Sequence, residues 1–316
     1  RGPLPLASVA VMMQDRFHAM PVFETAIAMV QSNCARRQAP LRLYLLTCGA
    51  QAICPADRLQ PKHAGAWGFG RSVRSELPSV SVHCVELSAL GRMHHDALSA
   101  RAWAVVAEGL SEVEIACRGD LTCLPRLAMI KHAADTDVSM MAQDESCTQL
   151  LTGGTGGIGL LTAEWLTTAC RHAHVVLTSR SGALGATTNV KLHSSGSANV
   201  VVHCCDISEV ADTADLAAKI QHVMPPLCSV WHTAGMLADA MLPRQNAIAL
   251  RRAYAAKAEG ASNMQKAFAP LLLEACVYYS SITALVGGAA QANYAGANAC
   301  LDAMSAHRRA QGCAAA

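Results

Sequence analysis

Two hydroxyl side chains, Ser281 and Tyr294, stand at either end of a stretch that holds Gly287 and Gly288 between them. Residues 275–280 read as a short buried strand, and residues 293–307 keep small or apolar side chains at helical spacing. The first hydroxyl is then expected at the carboxyl end of a strand and the second in the first turn of the next helix. Both would face the crevice in which open α/β sheets bind ligands. A tyrosine placed there can hand its proton to a carbonyl oxygen if its pKa is brought down from about 10, and a neighbouring ammonium group does that by favouring the phenolate. One helical turn beyond Tyr294 stands Asn298, which carries no charge. The ammonium must come from another element, and Lys257 offers one. A helical lysine is ordinarily a solvated one, but Ala255, Ala256, Ala258 and Gly260 are small enough for its helix, expected over residues 247–268, to lie close against a sheet.

The elements that would position this chemistry begin with a buried strand, Gln149-Leu150-Leu151. It runs into Thr152-Gly153-Gly154-Thr155-Gly156-Gly157-Ile158-Gly159 and then a helix over residues 160–169. A glycine pattern alone is weak evidence. Between a strand and a helix it has a mechanism: a tight turn, bare backbone against a pyrophosphate, and a helix N-terminus for its charge. The spacing G-x-x-x-G-x-G of Gly153, Gly157 and Gly159 resembles the short-chain dehydrogenase/reductase pattern more than the G-x-G-x-x-G dinucleotide fingerprint. Residues 175–181 form the second strand, whose end should meet the adenosine ribose. A carboxylate there would suit NAD, whereas Arg180 suits a 2′-phosphate, so NADPH is the expected cofactor. Residues 200–206 form the third strand, with Asp206 placed to accept from the adenine amine. Residues 229–235 form the fourth, where Ala234 and Gly235 let the cofactor lie on bare backbone. His232 is expected to pack or to bond backbone rather than react.

The first half has the same βα rhythm without a phosphate loop: helix 23–31, strand 41–46, helix 66–76, strand 80–87, helix 97–110, then a hairpin of residues 114–118 and 121–127 around Gly119-Asp120. Gly68 and Gly70 fall inside a helix, beside Trp67, Phe69 and Arg71, and imply tight packing. Periodicity fails and the composition turns acidic over residues 131–145, which sets a boundary near Gln143. The expected fold is α/β, a doubly wound parallel sheet of Rossmann-like type in tandem: residues 1–143 as a degenerate, cofactor-free unit and 144–316 as the cofactor-binding one.

A formal net charge of +2 over 316 residues, with 15% charged, gives no field for nucleic acid. No apolar run approaches the ~20 residues of a membrane span. The chain begins at Arg1 with neither signal peptide nor basic leader and reads as a piece of something longer. Its 14 cysteines are scattered without a C-x-x-C pair, which favours free thiols in a reducing compartment, and its 13 histidines have no ligand spacing, so no metal is expected.

With these residues in view the sequence resembles the ketoreductase domain of modular polyketide synthases, and less closely that of animal-type fatty acid synthases. The likeness rests on Gly153 to Gly159, Ser179-Arg180, Cys205-Asp206, His232 to Gly235, Lys257, Ser280-Ser281, Gln291 to Tyr294, Asn298 and Leu301-Asp302. Members of that family exchange the lysine and asparagine positions of free-standing short-chain reductases, as Lys257 with Tyr294 and Asn298 does here. The resemblance implies cofactor contacts from Gly153, Thr155, Gly156, Gly157, Ile158, Ser179, Arg180, Asp206, Ile207, Ala234, Gly235, Lys257 and Tyr294. It implies catalysis by Lys257, Ser281, Tyr294 and Asn298, the last ordering a proton-relay water. It further implies a 3-oxoacyl substrate on the phosphopantetheine arm of an acyl carrier protein, neighbouring synthase domains, and a cytoplasmic setting. Residues 67–71 and 118–127 resemble the family's structural subdomain, which here begins late, and the chain stops before the family's final strand and lid. Two alternatives remain at this point: a free-standing reductase of a small carbonyl, and a non-catalytic truncated scaffold. Family members that form the D alcohol carry Leu-Asp-Asp where this chain has Leu237-Ala238-Asp239, and Val286 stands where L-forming members have tryptophan. The D product is therefore expected, with Asp239 bordering the crevice, unless Asp239 merely caps the next helix.

Overall fold

Leucine- and valine-rich runs make the strands, and the alanine- and glycine-rich stretches between them make helices that pack closely. The computed structural model describes residues 7–12, 19–36, 41–54, 57–87, 104, 112–118, 121–128, 146–170, 172–184 and 199–316. The elements of the first half are β1 (Ala7–Met12), α1 (Ala19–Arg36), β2 (Leu41–Cys48), α2 (Pro61–Glu76), β3 (Ser81–Leu87), β4 (Glu114–Arg118) and β5 (Leu121–Cys123). Then come β6 (Thr148–Thr152), α3 (Gly157–Ala169), β7 (His174–Ser179), β8 (Asn199–Cys204), α4 (Val210–Val223) and β9 (Leu227–His232). A 3-10 turn (Leu242–Arg244), α5 (Ala247–Tyr254), a π turn (Ala255–Glu259), α6 (Gly260–Ala267), β10 (Ala275–Tyr278), α7 (Thr283–Val286) and α8 (Ala292–Ala310) complete the chain. The helix expected at 97–110, apart from Ala104, and the boundary region 131–145 lie outside the described residues.

The described residues form two compact units that interleave in sequence. One draws on Arg1–Arg126, Met236–Tyr254 and Ser280–Ala310, the other on Leu127–Gly235, Ala255–Tyr279 and Gln311–Ala316. Each contains one five-stranded sheet, the first built from strands before residue 143 and the second from strands after it.

In the first unit β1 to β4 are parallel neighbours in sequence order, and β5 closes the edge antiparallel to β4, with Arg118 opposite Leu121. Helix α2 begins with Pro61, whose missing N–H costs nothing in a first turn, and it is buried from His63 through Gly70. A Cβ on Gly68 would run into the backbone of Ala295 on α8, so the close helix packing expected of this glycine is what brings α2 and α8 together. Arg71 forks onto Glu114 through two bonds of 2.8 and 2.7 Å and reaches the Ala284 carbonyl at 2.7 Å, tying α2 to both β4 and α7.

In the second unit all strands are parallel in the order β10-β9-β6-β7-β8. Strand β6 is buried along its whole length, as a central parallel strand covered on both faces must be. The order reverses at β6, which pairs with β7 on one side and β9 on the other, and this places a ligand crevice at its carboxyl end. The core on one face is Leu151, Leu166, Val175, Leu177 and Trp231, with Trp165 edge-on to Trp231 at 5.6 Å. The uninterrupted helix expected over 247–268 is not present. The chain leaves α5 at Tyr254, takes a π turn centred on Lys257, and resumes as α6. Among the described residues no helix is long and apolar enough to cross a membrane.

Candidate active site

The glycine loop closes the switch point of the second unit. Gly153 has φ +66°, and a Cβ there would lie 2.6 Å from Ala234 Cα, so loop and β9 approach backbone to backbone. A Cβ on Gly159 would meet the Gly153 carbonyl at 2.6 Å, while one on Gly157, the first residue of α3, would meet nothing within 4 Å. Gly156, the cap residue, supplies no side-chain bond. The first-turn amides of α3 are therefore left for an outside acceptor, as a pyrophosphate requires. Thr155 is half-buried in the turn and Ile158 projects outward, 57% exposed.

The residues expected to meet the adenosine ribose lie at the end of β7. The Ser179 hydroxyl accepts from Gly182 N at 3.2 Å, and Arg180 is exposed just past the strand. After β8, Asp206 accepts from the Ser208 amide at 3.0 Å and its hydroxyl at 2.6 Å, which orients the carboxylate. Ile207 is buried against Gly260, and Asn263 of α6 donates to the Ile207 and Ser208 carbonyls at 3.2 and 2.9 Å, fixing this loop from below.

Lys257 is 3% exposed and donates from Nζ to the Tyr279 carbonyl at 2.8 Å. A Cβ on Gly235 would sit 3.0 Å from its Cε and 3.5 Å from its Nζ. Bare backbone at the end of β9 thus lies directly over the ammonium, and the solvated face usual for a helical lysine is not what this one occupies. Within the second unit, then, the glycine loop, Ala234, Gly235 and Lys257 come together, and their chemistry fits a nicotinamide dinucleotide: open amides for the phosphates, unobstructed backbone beneath the ring, and a buried cation beside it.

The hydroxyl residues belong to the first unit. Ser281, just past β10, accepts at Oγ from the Thr283 amide at 3.3 Å and the Thr283 hydroxyl at 3.1 Å, which leaves its own O–H to donate elsewhere. Tyr294 stands in the first turn of α8, half-buried, with its amide bonded to Asn293 Oδ1 at 2.8 Å. Asn298, fully buried, donates to the Tyr294 carbonyl at 2.9 Å, and its Oδ1 has no hydrogen-bond partner among the described residues. A buried acceptor left open in this way is suited to a water. Asp239 does not cap the following turn, whose cap residue is Met241; it accepts from Gln291 Nε2 at 3.0 Å.

Two residues to which the sequence assigned no role organise the approach to Tyr294. Asn293, buried, donates to the Ala238 carbonyl at 2.8 Å and so links α8 to the Asp239 loop. The Glu76 carboxylate, at the end of α2, accepts from the amides of both Leu242 and Ala290. Ala290 has φ 65°, a conformation that favours glycine, so this bond helps hold a strained turn immediately before α8.

A bare-backbone cradle at the switch point of a parallel sheet, with a buried lysine beside it, marks a Rossmann-like dinucleotide-binding fold. The chain belongs to the KR domain family, which matches residues 147–316; residues 4–127 match the Rossmann fold domain of polyketide synthase extender module SpnB. It is 33% identical over 252 residues to a naringenin synthase of Pestalotiopsis fici, covering 79% of this chain and 9% of that protein. Polyketide synthase GfsE of Streptomyces halstedii is 33% identical over 281 residues, covering 87% of this chain and 7% of that protein. Among solved structures, the first ketoreductase of the tylosin polyketide synthase superposes with a TM-score of 0.80 at 31% identity, covering 97% of this chain and 65% of that one. An A1-type ketoreductase superposes with a TM-score of 0.77 at 30% identity, covering 97% of this chain and 63% of that one. The chain thus spans a small fraction of these two synthases and under two thirds of these two solved chains.

Proposed function

We propose that the chain reduces a 3-oxoacyl thioester, carried on an acyl carrier protein, to the 3-hydroxyacyl thioester with NADPH. The observation that carries this reading is the buried Lys257 ammonium beneath the bare backbone of Gly235, at the same strand ends as the glycine loop. A bound nicotinamide would supply the hydride for the β-carbon. Ser281 donates its hydroxyl to the carbonyl oxygen, Tyr294 gives that oxygen a proton, and Lys257 favours the negative charge left on the tyrosine. Asn298 offers its open Oδ1 to a relay water that returns the proton. Lys257 would also hold the nicotinamide ribose. On this reading residues 144–316 are the catalytic repeat and 1–143 the structural one, within a cytoplasmic synthase whose other domains are its partners.

Arg180 is read as the contact to the 2′-phosphate. Arg180→Ala is expected to raise KM for NADPH by roughly ten- to a hundredfold, the worth of a charge-assisted bond, with little change for NADH. Steady-state kinetics with the two cofactors check this, and an equal loss with both would detach the arginine from the phosphate.

Asp239, before the 3-10 turn, and Gln291, just before α8, form a bonded pair, and we read that pair as one wall of the substrate crevice. The D-configured alcohol is the expected product. Chiral chromatography of the 3-hydroxyacyl product tests the assignment, and a predominantly L alcohol would reverse it.

A further inference from the structure

The π turn at Lys257 has a partner that the catalytic reading does not use. His232, the last residue of β9, is fully buried; its Nε2 lies 3.0 Å from the Lys257 carbonyl and its Nδ1 2.7 Å from Thr152 Oγ1. A carbonyl only accepts, so Nε2 carries the proton, and Nδ1 accepts from the Thr152 hydroxyl. Burial lowers the imidazole pKa to about 3, against the bond to the Lys257 carbonyl, which raises it, and with the Lys257 charge, which lowers it, so the ring is neutral near pH 7. Gly260 completes the arrangement: a Cβ there would already stand 3.4 Å from His232 Cε1. Thr152 is in turn fixed at the end of β6, where its carbonyl accepts from the Thr233 hydroxyl at 2.7 Å.

We infer that His232 is a positioning residue: by donating to the Lys257 carbonyl it holds the π turn open and so aims the Lys257 ammonium at the cofactor face. The physical need is specific. A π turn carries one residue more than an α turn, and such turns are rare inside helices. Ala255–Glu259 consists of residues that favour an ordinary α-helix, Ala-Ala-Lys-Ala-Glu. Removing one residue from the turn would rotate the remainder of the helix by roughly 100° about the axis and carry the lysine out of register with Gly235. The chain Thr152–His232–Lys257 therefore links the end of the central strand to the catalytic ammonium through two hydrogen bonds, neither of which touches substrate.

This inference rests on the reading of Lys257 as catalytic, and the test separates the two. His232→Asn leaves an amide near the Nδ1 position only, so the Lys257 carbonyl loses its donor; His232→Gln extends an amide to the Nε2 position and restores it. Four measurements are made on the whole chain: kcat, NADPH affinity by fluorescence, the melting temperature, and amide hydrogen exchange over residues 255–261 without cofactor. His232→Asn is expected to speed exchange in that segment and lower kcat roughly ten- to a hundredfold, as a misplaced group does. His232→Gln should stay within about threefold of the parent, having lost only the bond to Thr152. Slow exchange and full kcat in folded His232→Asn would overturn the inference, as would equal losses in both variants. If the Asn variant does not fold, a folded Gln variant with fast exchange in that segment overturns it and one with slow exchange and near-parental kcat supports it. Full activity in Lys257→Met would sink the catalytic reading instead, and exchange in the π turn would still decide whether His232 holds it.

Discussion

Tyr294→Phe is expected to lower kcat by about two to four orders of magnitude, the worth of a positioned general acid, while NADPH binds as before. The substitution removes one oxygen. The amide bond to Asn293, the bond from Asn298 to its carbonyl, and the packing of the ring in the first turn of α8 all survive. Loss of turnover without loss of stability or cofactor affinity would therefore locate the proton transfer at this hydroxyl. Parental kcat in the Tyr294→Phe variant would exclude Tyr294 as the acid.

Lys257→Ala is expected to lower kcat by roughly 10²- to 10³-fold, the scale seen when a preorganised electrostatic donor is removed, and to raise KM for NADPH as well. Turnover and cofactor affinity should suffer together if, as proposed, one ammonium serves both the tyrosine and the ribose. The site also predicts that arginine cannot substitute: the side chain is buried beneath Gly235, whose Cβ position is already 3.0 Å from Lys257 Cε, and a planar guanidinium needs more room. Lys257→Arg should therefore resemble Lys257→Ala in kcat. Full activity in Lys257→Ala would end the account of the lysine.

Legibility in the sequence tracks the range of each interaction. The parallel strands were readable because burial on both faces turns them into continuous apolar runs, as in Leu150-Leu151 and Val175-Val176-Leu177. The glycine loop was readable because its function lies in local backbone geometry. His232 was expected to bond backbone, and it does. The π turn was hidden, since Ala255–Glu259 keeps helical propensity and the extra residue is enforced from β9, outside the segment. Glu76 was equally silent: its carboxylate meets amides 166 and 214 residues further along the chain, a pairing that no local pattern encodes. The same distance explains why helix α8 looked like part of the second repeat alone, although Gly68 and Ala295 pack it on α2.

Oxidation of NADPH by the purified chain tests the central claim most directly, with a 3-oxoacyl N-acetylcysteamine thioester offered in one reaction and simple ketones in another. The account predicts turnover with the thioester that disappears in Tyr294→Phe, and far slower oxidation with the ketones. Equal or faster turnover of simple ketones, or thioester reduction that persists without the Tyr294 hydroxyl, would contradict it.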